Sequence, residues 1–190
     1  MDTRARVTEA IADRPTELAT IFASEAAFRA FYERALPQVY GYLFYRSGGD
    51  PAVTEELTQL TFTTAVSERR AFDGRSDPVT WLISIARHKL ADHFRRLARE
   101  ESRRLRLVVR EVAGDDAAQP WRLSDERHAV IAALSTLPSL QRAVLILHYS
   151  DGLPVREVAH QLGKSESATE SLMTRARDAF RSAYREPTDV

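Results

Sequence analysis

Val155, Val158, Ala159 and Leu162 fall at i, i+3, i+4 and i+7, the spacing of a helix with one buried face. Gly163-Lys164-Ser165 follows at once. Glycine readily takes the left-handed backbone that ends a helix, and serine is a natural cap for the next one. In that next helix the apolar spacing assigns Ala168, Leu172, Ala176 and Phe180 to the inner face. Two helices joined so tightly must cross steeply and need an apolar support, which the stretch LPSLQRAVLILHYSDGLP supplies. The pattern predicts a helix-turn-helix, the device that lays its second helix in a DNA major groove. Its outer N-terminal residues, Ser165, Glu166, Ser167, Thr169 and Glu170, are expected to face base edges, with Arg175 and Arg177 reaching phosphates. A plain helical hairpin would show the same spacing.

The rest of the chain sets limits on this reading. A length of 190 residues suits one domain or two small ones. With no cysteine there is no disulfide and no cysteine-ligated zinc. No apolar run approaches the roughly 20 residues that span a bilayer, and the first residues lack the apolar centre of a signal peptide, so a cytoplasmic protein without membrane insertion is expected. The net charge is zero, but it is unevenly placed. Residues 1–68 carry 6 Lys/Arg against 10 Asp/Glu, whereas residues 84–110 carry 9 against 3. Two surfaces with different partners follow from that asymmetry. Because affinity for duplex DNA comes largely from neutralising phosphates, a chain this acidic elsewhere binds duplex weakly alone.

The coarse reading is all-α, since prolines and glycines sit mostly between periodic segments and no stretch alternates as a strand does. A short helix is expected from about Pro15 to Ser24, and Phe28 to Leu43 forms an apolar stripe that Pro37 is expected to kink. Another helix covers about Ala52 to Phe72, with Leu57, Leu60, Thr61, Thr64 and Ala65 at helical spacing. After the turn-forming run Asp73-Gly74-Arg75-Ser76-Asp77-Pro78, a long helix turns Leu82, Ile83, Ile85, Ala86, Leu90, Phe94 and Leu97 inward. Two helical domains joined by a flexible connection are expected: an extension over 1–25, a first domain over 26–98, a linker over 99–125 and a second domain over 126–186. In a continuous helix Arg95, Arg99, Arg103, Arg106 and Arg110 would share one side, as a phosphate grip or simply as a solvated face. Five histidines lack metal-ligand spacing. No nucleophile elbow or phosphate loop appears. Neither a cofactor, a metal nor an enzyme activity is expected.

The segment LSTLPSLQRAVLILHYSDGLPVREVAHQLGKSESATESLMTRAR resembles region 4 of bacterial sigma factors of the extracytoplasmic-function (ECF) class. Upstream, FYERALPQVYGYLFYRSGGDPAVTEELTQLTFTTAV and then DPVTWLISIARHKLADHFRR are similar to region 2 of the same class. The resemblance spans about Phe28 to Arg185, and two motifs in the right order are far more specific than one. It implies a promoter-specificity subunit that binds core RNA polymerase, at the beta-prime coiled coil and the beta flap. It also implies contact with promoter DNA and control by an anti-sigma factor. Glu55, Glu56, Leu57, Gln59, Leu60 and Phe62 match the polymerase-binding segment, with the apolar three divided between core and interface. The loop of Phe72, Asp73, Gly74, Arg75, Ser76 and Asp77 matches the element that accepts a flipped base of the downstream hexamer. Trp81 is either a stacking platform for an unpaired base or, as the resemblance favours, a packing residue; Arg87, Lys89, Arg95 and Arg96 form a cationic track.

The recognition helix departs from the family. Where many relatives carry Thr-Val-Lys-Ser-Arg, this chain has Ala168-Thr169-Glu170-Ser171-Leu172, which removes two cations. That register would turn Met173 inward and leave Leu172 partly exposed, against the apolar spacing. Glu170 can accept from a cytosine amino group but repels phosphate, so backbone contacts fall to Lys164, Arg175 and Arg177, or else this chain reads its upstream element differently. Two rival readings remain at this point: a stand-alone operator-binding regulator and a helical protein-interaction module.

Overall fold

The computed structural model describes residues 20–107 and 125–184, all of whose regular elements are helical. The expected helix near Pro15, the linker candidates after Leu107, Arg110 and the Arg106 side chain lie outside that description. Three helices build the first unit: α1 (Glu25–Arg46), α2 (Pro51–Ser67) and α3 (Pro78–Leu107). Each begins at a side-chain cap that takes up orphan backbone donors. Ser24 Oγ accepts from Ala27 N at 3.2 Å, and Asp50 Oδ1 accepts from Ala52 N at 2.8 Å. Asp77 Oδ1 does the same for Val79 N at 2.8 Å, with Pro78 at the first helical position, where its missing N–H leaves no bond unmade. Val39, Leu43, Leu82, Leu90 and Phe94 are fully buried between these helices.

The second unit holds α4 (Asp125–Ser135), α5 (Ser139–Leu145), α6 (Val155–Leu162) and α7 (Glu166–Ala183). A single wide turn, Ile146–Ser150, carries α5 into the loop before α6. Val158, Ala159 and Leu162 meet Leu172, Met173 and Ala176 in its core. Gly163 closes α6 with φ 63° and ψ 40°, and Ser165 caps α7 by accepting from Ala168 N at 3.2 Å. The helix-turn-helix has its predicted boundaries.

Four expectations change. The helix expected from about Ala52 to Phe72 ends at Ser67, and a separate single turn covers Arg69–Ala71. Leu60 is 41% exposed; Thr54, Thr58 and Phe62 join Leu57, Thr61 and Ala65 on the buried face of α2. On α7, Ala168 is exposed and Thr169 takes the inward place, while Leu172 and Met173 are both buried, so each register was half right. Finally, α3 continues as helix through residues 99–107, the start of the expected linker. Those residues are Arg, Glu, Ser and Leu without Gly or Pro, and most of them favour helix.

That extension matters for the assembly. α3 packs against α1 and α2 with one part of its surface and against α5 and α6 with another. The buried side chains of both units form one continuous apolar cluster. The two domains are therefore packed together, with α3 as the shared wall.

Candidate nucleic-acid interface

On α2 the expected docking residues divide sharply. Glu55, Glu56, Gln59 and Leu60 are exposed, as is Val66 further along the helix. Leu57 at 2% exposure and Phe62 at 7% face the core instead, Phe62 with its ring 4.7 Å from that of Tyr32. Both are corrected to core residues, because the helical period turns them away from the face that bears Glu56 and Leu60. Glu56 meets Arg96 at 3.3 Å, and Arg96 Nη2 also lies 3.2 Å from His93 Nδ1. Burial, and then the neighbouring guanidinium, hold the His93 imidazole below its ordinary pKa.

The loop before α3 is exposed from Asp73 to Asp77. Asp73 Oδ1 accepts from Arg75 N at 3.0 Å, and Gly74 sits at φ 74°, so the turn is internally braced. Phe72 does not belong to that surface. It is 8% exposed and packs edge-on against Trp81 at 5.4 Å and 63°. This is a correction for Phe72, and it places Trp81, half-buried, in contact with it. An aromatic pair in this geometry adds about 0.5–1.5 kcal/mol beyond its buried area.

The cationic residues of α3 lie on different sides of the helix, and three of them are already paired. Arg87 Nε donates to Asp151 Oδ2 at 3.2 Å, Arg95 pairs with Asp92 one turn earlier, and Arg96 holds Glu56. Lys89 is half-buried. Arg95, Arg99 and Arg103 line a cleft of about 530 Å³ whose far side is Gly163-Lys164, the turn of the helix-turn-helix. Part of the arginine stripe thus faces the helix-turn-helix unit rather than solvent alone.

On α7, Glu166, Ser167 and Glu170 are exposed as expected. Arg175 and Arg177 are exposed too, bonded loosely to Ser171 O and Thr174 Oγ1 at 3.3 Å each. Thr169 is the correction here: fully buried, it donates to Ser165 O at 2.9 Å and cannot touch a base edge. A β-branched residue whose methyl packs inward and whose hydroxyl is satisfied one turn back fits such a site. Ser165 is occupied as the helix cap.

Sequence reasoning missed three residues: Tyr42, Arg46 and Asp151. Asp151 Oδ2 accepts from Tyr42 Oη at 2.7 Å, and Oδ1 accepts from Arg46 Nε at 2.7 Å. Its side chain is 1% exposed. Burial, and then the facing carboxylate, push the Tyr42 phenol well above its usual range, so it stays a donor. Tyr42 and Arg46 share a helix face at i and i+4, a signal that was present, but no spacing argument joins them to a residue more than a hundred positions later.

Comparison with known proteins agrees with this architecture. Residues 31–100 match the family described as Sigma-70 region 2, and residues 127–180 match Sigma-70, region 4. The chain is 32% identical over 164 residues to the ECF RNA polymerase sigma factor SigX of Bacillus subtilis, covering 83% of each. It is 35% identical over 159 residues to the ECF RNA polymerase sigma factor BldN of Streptomyces coelicolor, covering 79% of this chain but only 57% of that longer protein. Its fold resembles that of the sigma factor RpoE of Bartonella quintana, solved with the anti-sigma factor NepR, at a TM-score of 0.50 and 24% identity over 82% of this chain and 95% of that one. With region 2 on α1 to α3 and region 4 on the helix-turn-helix unit, the chain belongs to the ECF class of RNA polymerase sigma factors.

Proposed function

We propose that this chain directs transcription initiation by carrying core RNA polymerase to a specific set of promoters. The observation that carries the reading is the presence, on one chain, of an exposed, internally braced loop before α3 and a properly capped helix-turn-helix. In this reading Glu55, Glu56, Gln59 and Leu60 dock on the beta-prime coiled coil of the polymerase, and the second domain meets the beta flap. Asp73, Gly74, Arg75, Ser76 and Asp77 receive a base extruded from the downstream hexamer, with unstacking costing a few kcal/mol. Arg87, Lys89, Arg95 and Arg96 follow the separated strand. Glu166, Ser167 and Glu170 read the upstream element, with Lys164, Arg175 and Arg177 on its backbone.

The polymerase as partner places the protein's action in the cytoplasm, and no described helix is long and apolar enough to cross a membrane. RpoE was solved with an anti-sigma factor, which supports a partner of that kind here. The test is transcription from a promoter library by core polymerase with and without the chain, beside duplex binding by the chain alone. Polymerase-dependent initiation from a shared sequence pair is expected. Tight sequence-specific duplex binding with no initiation would overturn the reading in favour of an operator-binding regulator.

A further inference from the structure

The carboxylate of Asp151 is an anion held in a site that another part of the chain has built. Three donors converge on it: Tyr42 Oη at 2.7 Å, Arg46 Nε at 2.7 Å and Arg87 Nε at 3.2 Å. All three belong to the first domain, on α1 and α3, while Asp151 belongs to the second. Two of the donors, Tyr42 and Arg46, also brace each other. The Arg46 guanidinium carbon stands 4.0 Å from the Tyr42 ring centroid, and its Nη1 donates to Tyr42 O at 3.2 Å. The arginine side chains are only 18% and 24% exposed, against 1% for the carboxylate. Two partly dehydrated guanidinium groups and a phenol thus frame a two-oxygen acceptor.

A nucleic-acid phosphodiester offers the same arrangement in its two non-bridging oxygens, and charge-assisted bonds from arginine suit it as well as they suit a carboxylate. Arg87 is also among the α3 cations that the proposed function assigns to the separated strand.

We propose that Tyr42, Arg46 and Arg87 form an oxyanion site for a backbone phosphate of a nucleic-acid strand, and that Asp151 fills it as an internal competitor while the two domains are packed together. The identity of the ligand rests on the promoter-binding reading above; the competition does not. When the second domain is drawn away, two cations lose their counter-ion, and a phosphate is the natural replacement. Strand binding at this site and packing of the domains then exclude one another. The free chain is a poor strand binder, and separation of its domains uncovers the site.

The test uses the full chain and a random-sequence single-stranded oligonucleotide, read by fluorescence anisotropy. Domain packing is followed in parallel by energy transfer between dyes at Thr63→Cys and Ser171→Cys, in a chain that has no cysteine of its own. Asp151→Ala, and Asp151→Asn as the variant that keeps shape, should lower energy transfer. Each should also tighten oligonucleotide binding about tenfold, since apparent affinity scales with the fraction of competent molecules. Adding Arg46→Gln to Asp151→Asn should abolish the gain, and a strand with a neutral methylphosphonate backbone should show none. Lower energy transfer without tighter binding overturns the proposal, as does a gain that survives Arg46→Gln or the neutral backbone. Unchanged energy transfer in both Asp151 variants overturns the competition. If the phosphate-dependent gain appears but the chain supports no initiation by core polymerase, the promoter reading falls and the anion site stands; initiation without the gain gives the reverse.

Discussion

Glu101, near the C-terminal end of α3, caps the N-terminus of α5: its Oε1 and Oε2 accept from the Ser139 backbone N at 3.2 and 3.3 Å, and the Ser139 hydroxyl donates to the same carboxylate. Pro138, which precedes this helix, offers no side-chain oxygen, so a helix of the first domain supplies the cap that the local sequence lacks. The negative charge also lies at the positive end of the α5 dipole. Glu101→Gln should therefore lower stability by about 0.5–1 kcal/mol, with the loss shrinking in high salt. Urea unfolding at two ionic strengths measures both effects.

The two apolar residues Leu57 and Leu60, three positions apart on α2, should respond in opposite ways. Leu57→Ala removes a fully packed side chain and should cost about 2–5 kcal/mol of stability. Leu60→Ala, at an exposed position, should stay within about 0.5 kcal/mol of the parent, while weakening association with core polymerase. Denaturant midpoints and a polymerase pull-down on the same two proteins separate the roles.

Glu170→Lys places a cation on the exposed face of α7, where the resemblance to the family implies one. It should strengthen duplex binding and steepen the dependence of log affinity on log salt by about one unit. Ser165→Ala, by contrast, removes a helix cap and should cost about 1 kcal/mol of stability. A salt titration of duplex affinity for the first, and a melting curve for the second, give the readouts.

Stability should fall in mild acid through His93. The unfolded chain takes up a proton near 6.5, whereas the folded site resists it because the ring is buried and faces Arg96. Protons therefore bind preferentially to the unfolded state, and stability is lost as pH drops through the unfolded value. His93→Gln should flatten that part of the profile between pH 8 and pH 5, measured by urea midpoints. A profile as steep in the variant as in the parent would show that other histidines carry the dependence.

Local chemistry made much of this protein legible before any coordinates. Serine or aspartate before α1, α2, α3 and α7, proline at first helical positions and Gly163 after Leu162 act over a few residues, so most elements and the helix-turn-helix can be read from spacing alone. The exposed loop from Asp73 to Asp77 and the outer face of α7 were legible for the same reason. Side-chain direction was harder where apolar and β-branched residues crowd one helix. Apolar spacing assigns Ala168 inward and Thr169 outward, because hydrophobicity ranks alanine above threonine, whereas packing volume and a satisfied hydroxyl favour threonine inside.

The sequence by itself determined the helices, their caps and the family to which they belong. Tertiary structure alone decided that the two domains share α3 as a wall, that Glu101 caps a helix of the other domain, and that Asp151 closes on Tyr42, Arg46 and Arg87. These contacts join residues 38 to 109 positions apart. No periodicity within a helix encodes such pairings; they arise because burying the second face of α3 brings charged groups together where water no longer screens them.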